Sequence, residues 1–386
     1  MKCLFVSSEF PPGPGGIGTH AYQISLQLHN LGWDVTVVSR QDYASREEIE
    51  EFNRKQPFSI LYLEPASTLA HEFFYRYRTL HQAIRRYKPD VILASGQRTV
   101  WLVALITKAC RVPWIAVGHG SEFLLGRPHE RWLTQWAFEQ ASRVVCVSNF
   151  TQNIMLRQNF KPRKSTVIHN GADEKQFVQL PPSEIRQFRQ MLGLEQAHIL
   201  LSVGNVTHRK GHDIVIRALP KVLHSHPNTH YLIAGLPNQQ DSLTRLAQAL
   251  GVQERVHFLG RISQDVLVKY LNCCDVFVMT SRHTEDGDVE GYGIAVIEAA
   301  LCGKPAIVSG DTGLAEAVVD GQTGLVVPQE DPEATAQAIL TLLGDNHLRQ
   351  KLGNQARDRA IHEQTWRHKA LEYNAILREL ASSKVS

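Results

Sequence analysis

The sequence predicts an α/β protein built from two Rossmann-like, doubly wound domains facing a cleft. Three observations carry that expectation. Short β-branched runs alternate with helical patterns along the chain, as parallel sheets with crossover helices require. The alternation pauses in a stretch rich in Pro and Gln near 176–183, then restarts with a new apolar strand. At 386 residues, the chain is also longer than one hydrophobic core usually organises.

The first series opens with KCLFVS (2–7) as a strand. HAYQISLQLHNLG follows as a helix closed by Gly32, then DVTVVS (34–39) as the second strand. DVILAS (90–95), PWIAVG (113–118), RVVCVS (143–148) and STVIHNG (165–171) read as further strands. The second series begins with HILLSVG (198–204) and a helix from about Asp213. It continues through HYLIAG, RVHFLG, DVFVMT, PAIVSG and GLVVP. TWRHKALEYNAILRELA (365–381) reads as a last helix anchored by Trp366. The expected domains are 1–172 and 173–364, with the helix of about 365–386 packing back on the first. Ligands of such sheets sit at the carboxyl ends of the strands, and two such edges in tandem can face each other. Every motif below falls at one of these ends.

Composition narrows the class. With 43% apolar and 20% charged residues, no low-complexity tract and a net charge of +3, the chain reads as an ordinary globular protein. The charge is unevenly spread: residues 1–172 hold 20 Lys and Arg against 13 Asp and Glu, the remainder 21 against 25. A basic first half suits an anionic partner such as a membrane surface, a lipid phosphate or an acidic glycan; it also suits plain solvated surface. No nucleic-acid partner is expected. The six cysteines show no C-x-x-C and no paired-ligand spacing, which fits reduced thiols in a cytoplasmic protein. MKCLFVSS turns polar too soon for a signal peptide. No apolar run approaches the ~20 residues that span a bilayer, so membrane contact would be peripheral, at the inner face.

Gly13, Gly15 and Gly18 in PPGPGGIGTH form G-x-G-x-x-G, the spacing of a dinucleotide fingerprint. Five residues separate strand and glycines, and no acid ends the second strand, where Ser39-Arg40 stands instead. An NADP site using Arg40 on a 2′-phosphate is therefore one reading. A helix N-terminus at Gly15-Gly16-Ile17-Gly18 facing an anion is the other, and a ligand-free turn the third.

The second half is more informative. In EGYGIAVIEA (290–299), Glu290 precedes Gly291 and Gly293, and Glu298 lies inside the apolar helix pattern that starts at Ile294. A carboxylate there is costly unless strong donors satisfy it, and ribose hydroxyls would. In SVGNVTHRKGHD (202–213), Gly204 ends a strand and Arg209-Lys210 precede a helix. Arg offers a fork and Lys a point charge, a pair suited to a diphosphate. A solvated cation pair and a surface glutamate are the plain alternatives; the two motifs together favour a site.

The combination GGIG, HG, RKG and E-x7-E resembles glycosyltransferase family 4, retaining enzymes of the GT-B fold, over nearly the whole chain. The resemblance implies the following roles. Glu298 would hold the ribose and Glu290 the hydroxyls of the donor sugar, while Lys210 and Arg209 grip the diphosphate. Gly15 and Gly16 would approach the donor by backbone, and Gly204, Gly293 and Ile294 would line the site. Leu259, in the strand end Phe258 to Gly260, would meet the base by backbone groups. His119, at the tip of WIAVGHG, would lie by the transferred sugar and the acceptor. Two departures stand out: Asn205 replaces an arginine that many members carry, so that Arg209 would have to serve, and Thr312-Gly313 replaces Gly-Gly ahead of Glu316.

The function so implied is transfer of a hexose, with retention, from GDP-mannose or a UDP-hexose to a glycan or lipid-linked acceptor, as in polysaccharide biosynthesis. Cations and helix N-termini would stabilise the leaving diphosphate, each contact being worth about 2.7–4 kcal/mol of barrier. No D-x-D pair is evident, so neither a cofactor nor an obligatory metal is expected. Closure between domains would exclude water. The alternatives are an NADP-dependent oxidoreductase using the 13–18 loop and a non-catalytic nucleotide-sugar-binding protein. The basic and aromatic stretch HEFFYRYRTLHQAIRRYKPD (71–90) reads either as an interfacial helix serving a lipid-linked acceptor or as a domain helix with a basic face.

Overall fold

A computed structural model describes residues 1–64 and 69–382, with the side chains of 69–72 outside that description. The chain divides into two compact units: Met1–Asn170 with Trp366–Ser386, and Gly171–Thr365.

The first unit alternates strands and helices as β1 (Lys2–Ser7), α1 (Gly16–Asn30), β2 (Asp34–Ser39), α2 (Arg46–Arg54), β3 (Ser59–Tyr62) and α3 (Leu69–Tyr87). It continues with β4 (Val91–Ser95), α4 (Gln97–Cys110), β5 (Trp114–Gly118), α5 (Pro128–Gln140), β6 (Arg143–Cys146), α6 (Asn149–Arg157) and β7 (Ser165–Val167). These strands pair in parallel in the order β3-β2-β1-β4-β5-β6-β7, with Cys3 opposite Val35 on one side and Val91 on the other. Leu4, Phe5 and Val37 are wholly buried because helices cover both faces of a parallel sheet. Gly32 closes the first helix from a left-handed conformation, φ +86°, donating its N–H to the carbonyl of His29.

The second unit runs α7 (Pro182–Met191), β8 (His198–Val203), α8 (His212–Ser225), β9 (Thr229–Ala234), α9 (Gln240–Ala249), β10 (Val256–Gly260) and α10 (Gln264–Cys273). Then come β11 (Val276–Met279), α11 (Ile294–Leu301), β12 (Ala306–Ser309), α12 (Leu314–Ala317), β13 (Gly324–Val327), α13 (Pro332–Gly344) and α14 (Asn346–Glu363). Its sheet follows the same winding, β10-β9-β8-β11-β12-β13, all parallel. Leu200, Val215, Tyr231, Val278, Ile307, Ile339 and Leu342 form its core.

α15 (Trp366–Ser382) belongs to the first unit. Trp366 and Tyr373 are buried there, the Tyr373 hydroxyl lies 3.1 Å from His20 Nε2, and Trp33 Nε1 donates to Asn374 at 2.8 Å. Residues 383–386, included in the helix expected from sequence, lie outside the described residues. Three local features depart from expectation. The short, half-buried β3 gives no long apolar run. STVIHNG supplies only three residues of strand. The Pro-rich stretch starts α7, where Pro182 fills a first-turn position that needs no N–H. All six cysteines are free, and Cys110 is only partly buried.

Candidate functional site

In the second unit the site begins where β8 ends. Gly204 has φ +145°, and a Cβ there would stand 2.9 Å from Lys210 Cε, so glycine gives the lysine stem room to run alongside the strand end. Residues His208–Lys210 form one tight turn that Gly211 closes at φ +68°. A Cβ on Gly211 would lie 1.9 Å from the Thr280 carbonyl oxygen. Thr280 Oγ1 donates to the Gly211 carbonyl at 2.8 Å, and the Arg282 N–H donates to the Arg209 carbonyl at 2.8 Å. The segment after β11 is thus the mould on which the cationic turn is cast. Arg282 extends the mould: its guanidinium meets Asp213 at 2.5 Å and Glu330 at 3.3 Å.

On this turn, Arg209 and Lys210 converge on one carboxylate. Glu290 Oε2 accepts from Lys210 Nζ at 2.7 Å and from Arg209 Nη1, while Arg209 Nε reaches Asp288 at 2.9 Å. Burial alone would raise the Glu290 carboxyl, but the two cations hold it down at about 2. Burial lowers the Lys210 ammonium and Glu290 partly restores it; Arg209 is held charged against its own burial by Glu290 and Asp288. The Glu290 carbonyl accepts from the Gly313 N–H at 2.9 Å, and a Cβ on Gly313 would lie 1.9 Å from the Gly291 carbonyl oxygen. The Thr312-Gly313 turn therefore supports the backbone beneath Glu290.

α11 starts at Ile294, after Gly293 at φ +89°. A Cβ on Gly293 would lie 2.3 Å from Leu314 Cδ2. Glu298 sits one turn into this helix, between buried Ile297 and Ala299. Its carboxylate has no hydrogen bond or ion pair among the described residues, and desolvation raises it to about 7. The two glutamates of one motif are therefore in opposite states, one doubly paired and the other awaiting donors. Leu259 occupies a register break of β10 between Phe258 and Gly260, at the edge strand of the sheet. Asn205 accepts the Leu236 N–H through Oδ1 at 3.4 Å, and the guanidinium beside Glu290 is that of Arg209.

The first unit carries the glycine loop and His119. Glu9, which sequence reasoning passed over, bends its carboxylate onto the loop. It accepts a backbone hydrogen bond from Gly18, and its Oε2 lies 2.3 Å from where a Gly15 Cβ would stand. Burial and the nearby Asp42 raise its pKa, opposed by that hydrogen bond. Arg40 is paired with Asp42 at 2.7 Å. At the 13–18 loop, where an NADP reading would set a pyrophosphate, a resident carboxylate already accepts from a helix-start amide, and Arg40 already has a carboxylate partner. Gly16 itself faces open space.

His119 ends β5. Its Nε2 lies 2.8 Å from Ser95 Oγ, and its ring packs edge-on against His20 at 5.4 Å. Desolvation lowers it to about 4, so the imidazole is neutral at physiological pH. Buried Glu122 accepts the N–H groups of His119 at 2.6 Å and Gly120 at 2.8 Å, fixing the strand tip. The signal for Glu122 was present in HGSE, three residues after the histidine; Asp213 and Arg282 carried none.

Two family models match. Glycosyl transferases group 1 covers residues 184–359, and Glycosyltransferase Family 4 covers residues 14–176. A glycogen synthase of Mycobacterium tuberculosis is 29% identical over 95% of this chain and 92% of its own. A GDP-mannose-dependent alpha-(1-6)-phosphatidylinositol monomannoside mannosyltransferase of Mycolicibacterium smegmatis is 28% identical over 99% and 98%. Anabaena HepE, solved with UDP and glucose, shares the fold with a TM-score of 0.81 at 22% identity, covering 98% of this chain and 100% of its own.

Proposed function

Because this chain belongs to glycosyltransferase family 4, of the group 1 glycosyltransferases, we propose that it moves a hexose from a nucleotide-diphosphate sugar to a glycan or lipid-linked acceptor, with retention at the anomeric carbon. One observation carries the reading: a partly enclosed cationic turn, and a carboxylate with no partner among the described residues, follow the carboxyl ends of β8 and β11 in a single sheet. Arg209 and Lys210 match a diphosphate, whose charge grows as the sugar departs. The ribose hydroxyls supply the donors that Glu298 lacks. Glu290 then turns to the hydroxyls of the sugar, and Leu259 offers backbone groups to the base. The two cations take the place of a metal, so transfer proceeds unchanged in the presence of a chelator.

His119 in the first unit meets the sugar and acceptor as a neutral hydrogen-bonding group, and Gly16 offers open backbone rather than charge. GDP-mannose and a UDP-hexose are the donors in view: the Mycolicibacterium relative is named for the first and HepE was solved with the second nucleotide. A thermal-shift panel of UDP, GDP, ADP and their sugars decides the base. Stabilisation by none of them would overturn the donor site, and donor turnover with an acceptor mixture separates a transferase from a non-catalytic binder.

A second feature supports a lipid-linked acceptor. No described helix is long and apolar enough to cross a membrane. α3 nevertheless leaves Phe73, Phe74 and Tyr77 at 44%, 65% and 37% exposure, on a helix that ends in Arg85 and Arg86. His71 and Glu72 of this stretch have side chains outside the described residues. Aromatic rings with arginines beside them suit an anionic bilayer surface. Sedimentation with vesicles containing phosphatidylglycerol, lost in Phe74→Ser, is the expected result; equal sedimentation with neutral vesicles would remove the electrostatic part.

A further inference from the structure

We infer that Glu290 sets the preference of this site for the intact nucleotide-sugar over the free nucleoside diphosphate, by serving as the resident counter-anion of Arg209 and Lys210. The inference rests on the donor reading above.

Without a ligand, the inner cluster is neutral. Arg209 and Lys210 bring two positive charges, and Glu290 and Asp288 bring two negative ones. Both cations are largely enclosed, with side-chain exposures of 21% and 12%, as is the Glu290 carboxylate at 12%. A diphosphate binding these cations competes for them with the Glu290 oxygen that both already hold. The displaced carboxylate then needs a new partner, since an unpaired buried charge is expensive. Glu290 cannot escape far, because its own carbonyl is fixed by the Gly313 N–H at 2.9 Å.

The two ligands differ in what they offer at that moment. A nucleotide-sugar brings hydroxyls beyond its second phosphate, and these can donate to the freed carboxylate. A nucleoside diphosphate brings only another phosphate oxygen, an acceptor that repels it. The intact donor therefore compensates the exchange and the leaving product does not. Specificity here comes from a repulsive element held in reserve, the negative half of discrimination. Once the sugar has gone, Glu290 is drawn back to its cations and competes with the product for them. Asp288 is not an equivalent competitor: it pairs with Arg209 through Nε at 2.9 Å and is 47% exposed, so water can serve it.

The test is a calorimetric titration of GDP, UDP and their hexose conjugates into the full-length wild type, Glu290→Gln and Glu290→Asp. In Glu290→Gln, affinity for the nucleoside diphosphate is expected to rise by about tenfold, because the competing charge is gone. Affinity for the conjugate should gain less, so that its advantage shrinks. Glu290→Asp draws the charge back from both cations and is expected to shift diphosphate affinity the same way by a smaller factor. It decides the matter if the glutamine variant does not melt cooperatively. Unchanged or weaker diphosphate binding in a folded variant overturns the inference and leaves the donor site standing. Failure of the wild type to bind any nucleotide would instead strike the donor reading itself.

Discussion

The two units wind their sheets in the same order from the third strand through the first to the sixth, yet their strand tips are armed in opposite ways. In the second, two cations and two carboxylates meet within hydrogen-bonding distance, and a further carboxylate is left bare. In the first, the imidazoles are uncharged and the carboxylates serve the backbone: His119 is neutral, His20 is held neutral by burial, Glu9 accepts from the Gly18 amide, and Glu122 from those of His119 and Gly120. A shared fold fixes where ligands gather, and the loops decide what they can be. The contrast sets a cationic edge in the second unit against a tip of neutral imidazoles in the first.

The largest expected effect breaks the charged side. Lys210→Ala leaves Glu290 with one cation and the diphosphate with one fewer, and should lower turnover by about 10²–10³-fold. Nucleoside diphosphate affinity should fall with it, by up to about 100-fold in a calorimetric titration. Retained affinity would show that the turn does not hold the phosphates. Acid should expose the same cluster from the other direction. The Glu290 carboxyl is depressed from its ordinary 4.5 to about 2, so the stability it contributes is complete above pH 4.5 and is lost as the pH falls toward 2.

In the first unit, His119→Ala should lower turnover by about 10–100-fold while nucleoside diphosphate affinity stays at the wild-type value, because the cations proposed to hold the phosphates lie in the second unit. Steady-state kinetics beside the same titration distinguishes the units: a parallel loss of nucleotide affinity would erase the contrast between them. His119→Asn, which keeps a hydrogen-bonding side chain, should recover part of the loss.

How far this contrast could be read from the chain depends on how locally each part is written. The sheets were legible because buried parallel strands are continuous apolar runs, and Leu4 to Val6 or Ile199 to Leu201 can hardly be anything else. β3 was not, since an edge strand with a partly solvated face loses that signature. Glu290, Glu298, Arg209 and Lys210 stood in compact motifs. Their partners were harder to see: Asp213 and Arg282 lie 69 residues apart and meet only through tertiary packing. The meaning of the glycine loop turned on Glu9, whose sequence neighbours say nothing of where its carboxylate points. The opposite shifts of Glu290 and Glu298 were equally hidden, because spacing fixes position along the chain and says nothing about which carboxylate finds cations.

The smallest effect concerns that last pair and sharpens the contrast within the charged unit itself. Desolvation raises Glu298 from 4.5 to about 7, so the folded protein holds a proton that the unfolded chain releases between those values. Stability must therefore fall as pH rises through that window, and above pH 7 the ionised carboxylate weighs against the fold. Glu298→Gln cannot ionise. At pH 8 its free form should melt about 2–4 °C higher than the wild type for each kcal/mol relieved, with the difference vanishing near pH 4.5. Ligand binding should run the other way. Ribose hydroxyls donate best to the charged carboxylate, so wild-type nucleotide affinity should rise from pH 6 to 8, while Glu298→Gln binds about tenfold more weakly with a flat profile. A variant that is neither more stable when empty nor weaker when titrated would mean that water or a neighbouring group already satisfies Glu298, and that the ribose is held elsewhere.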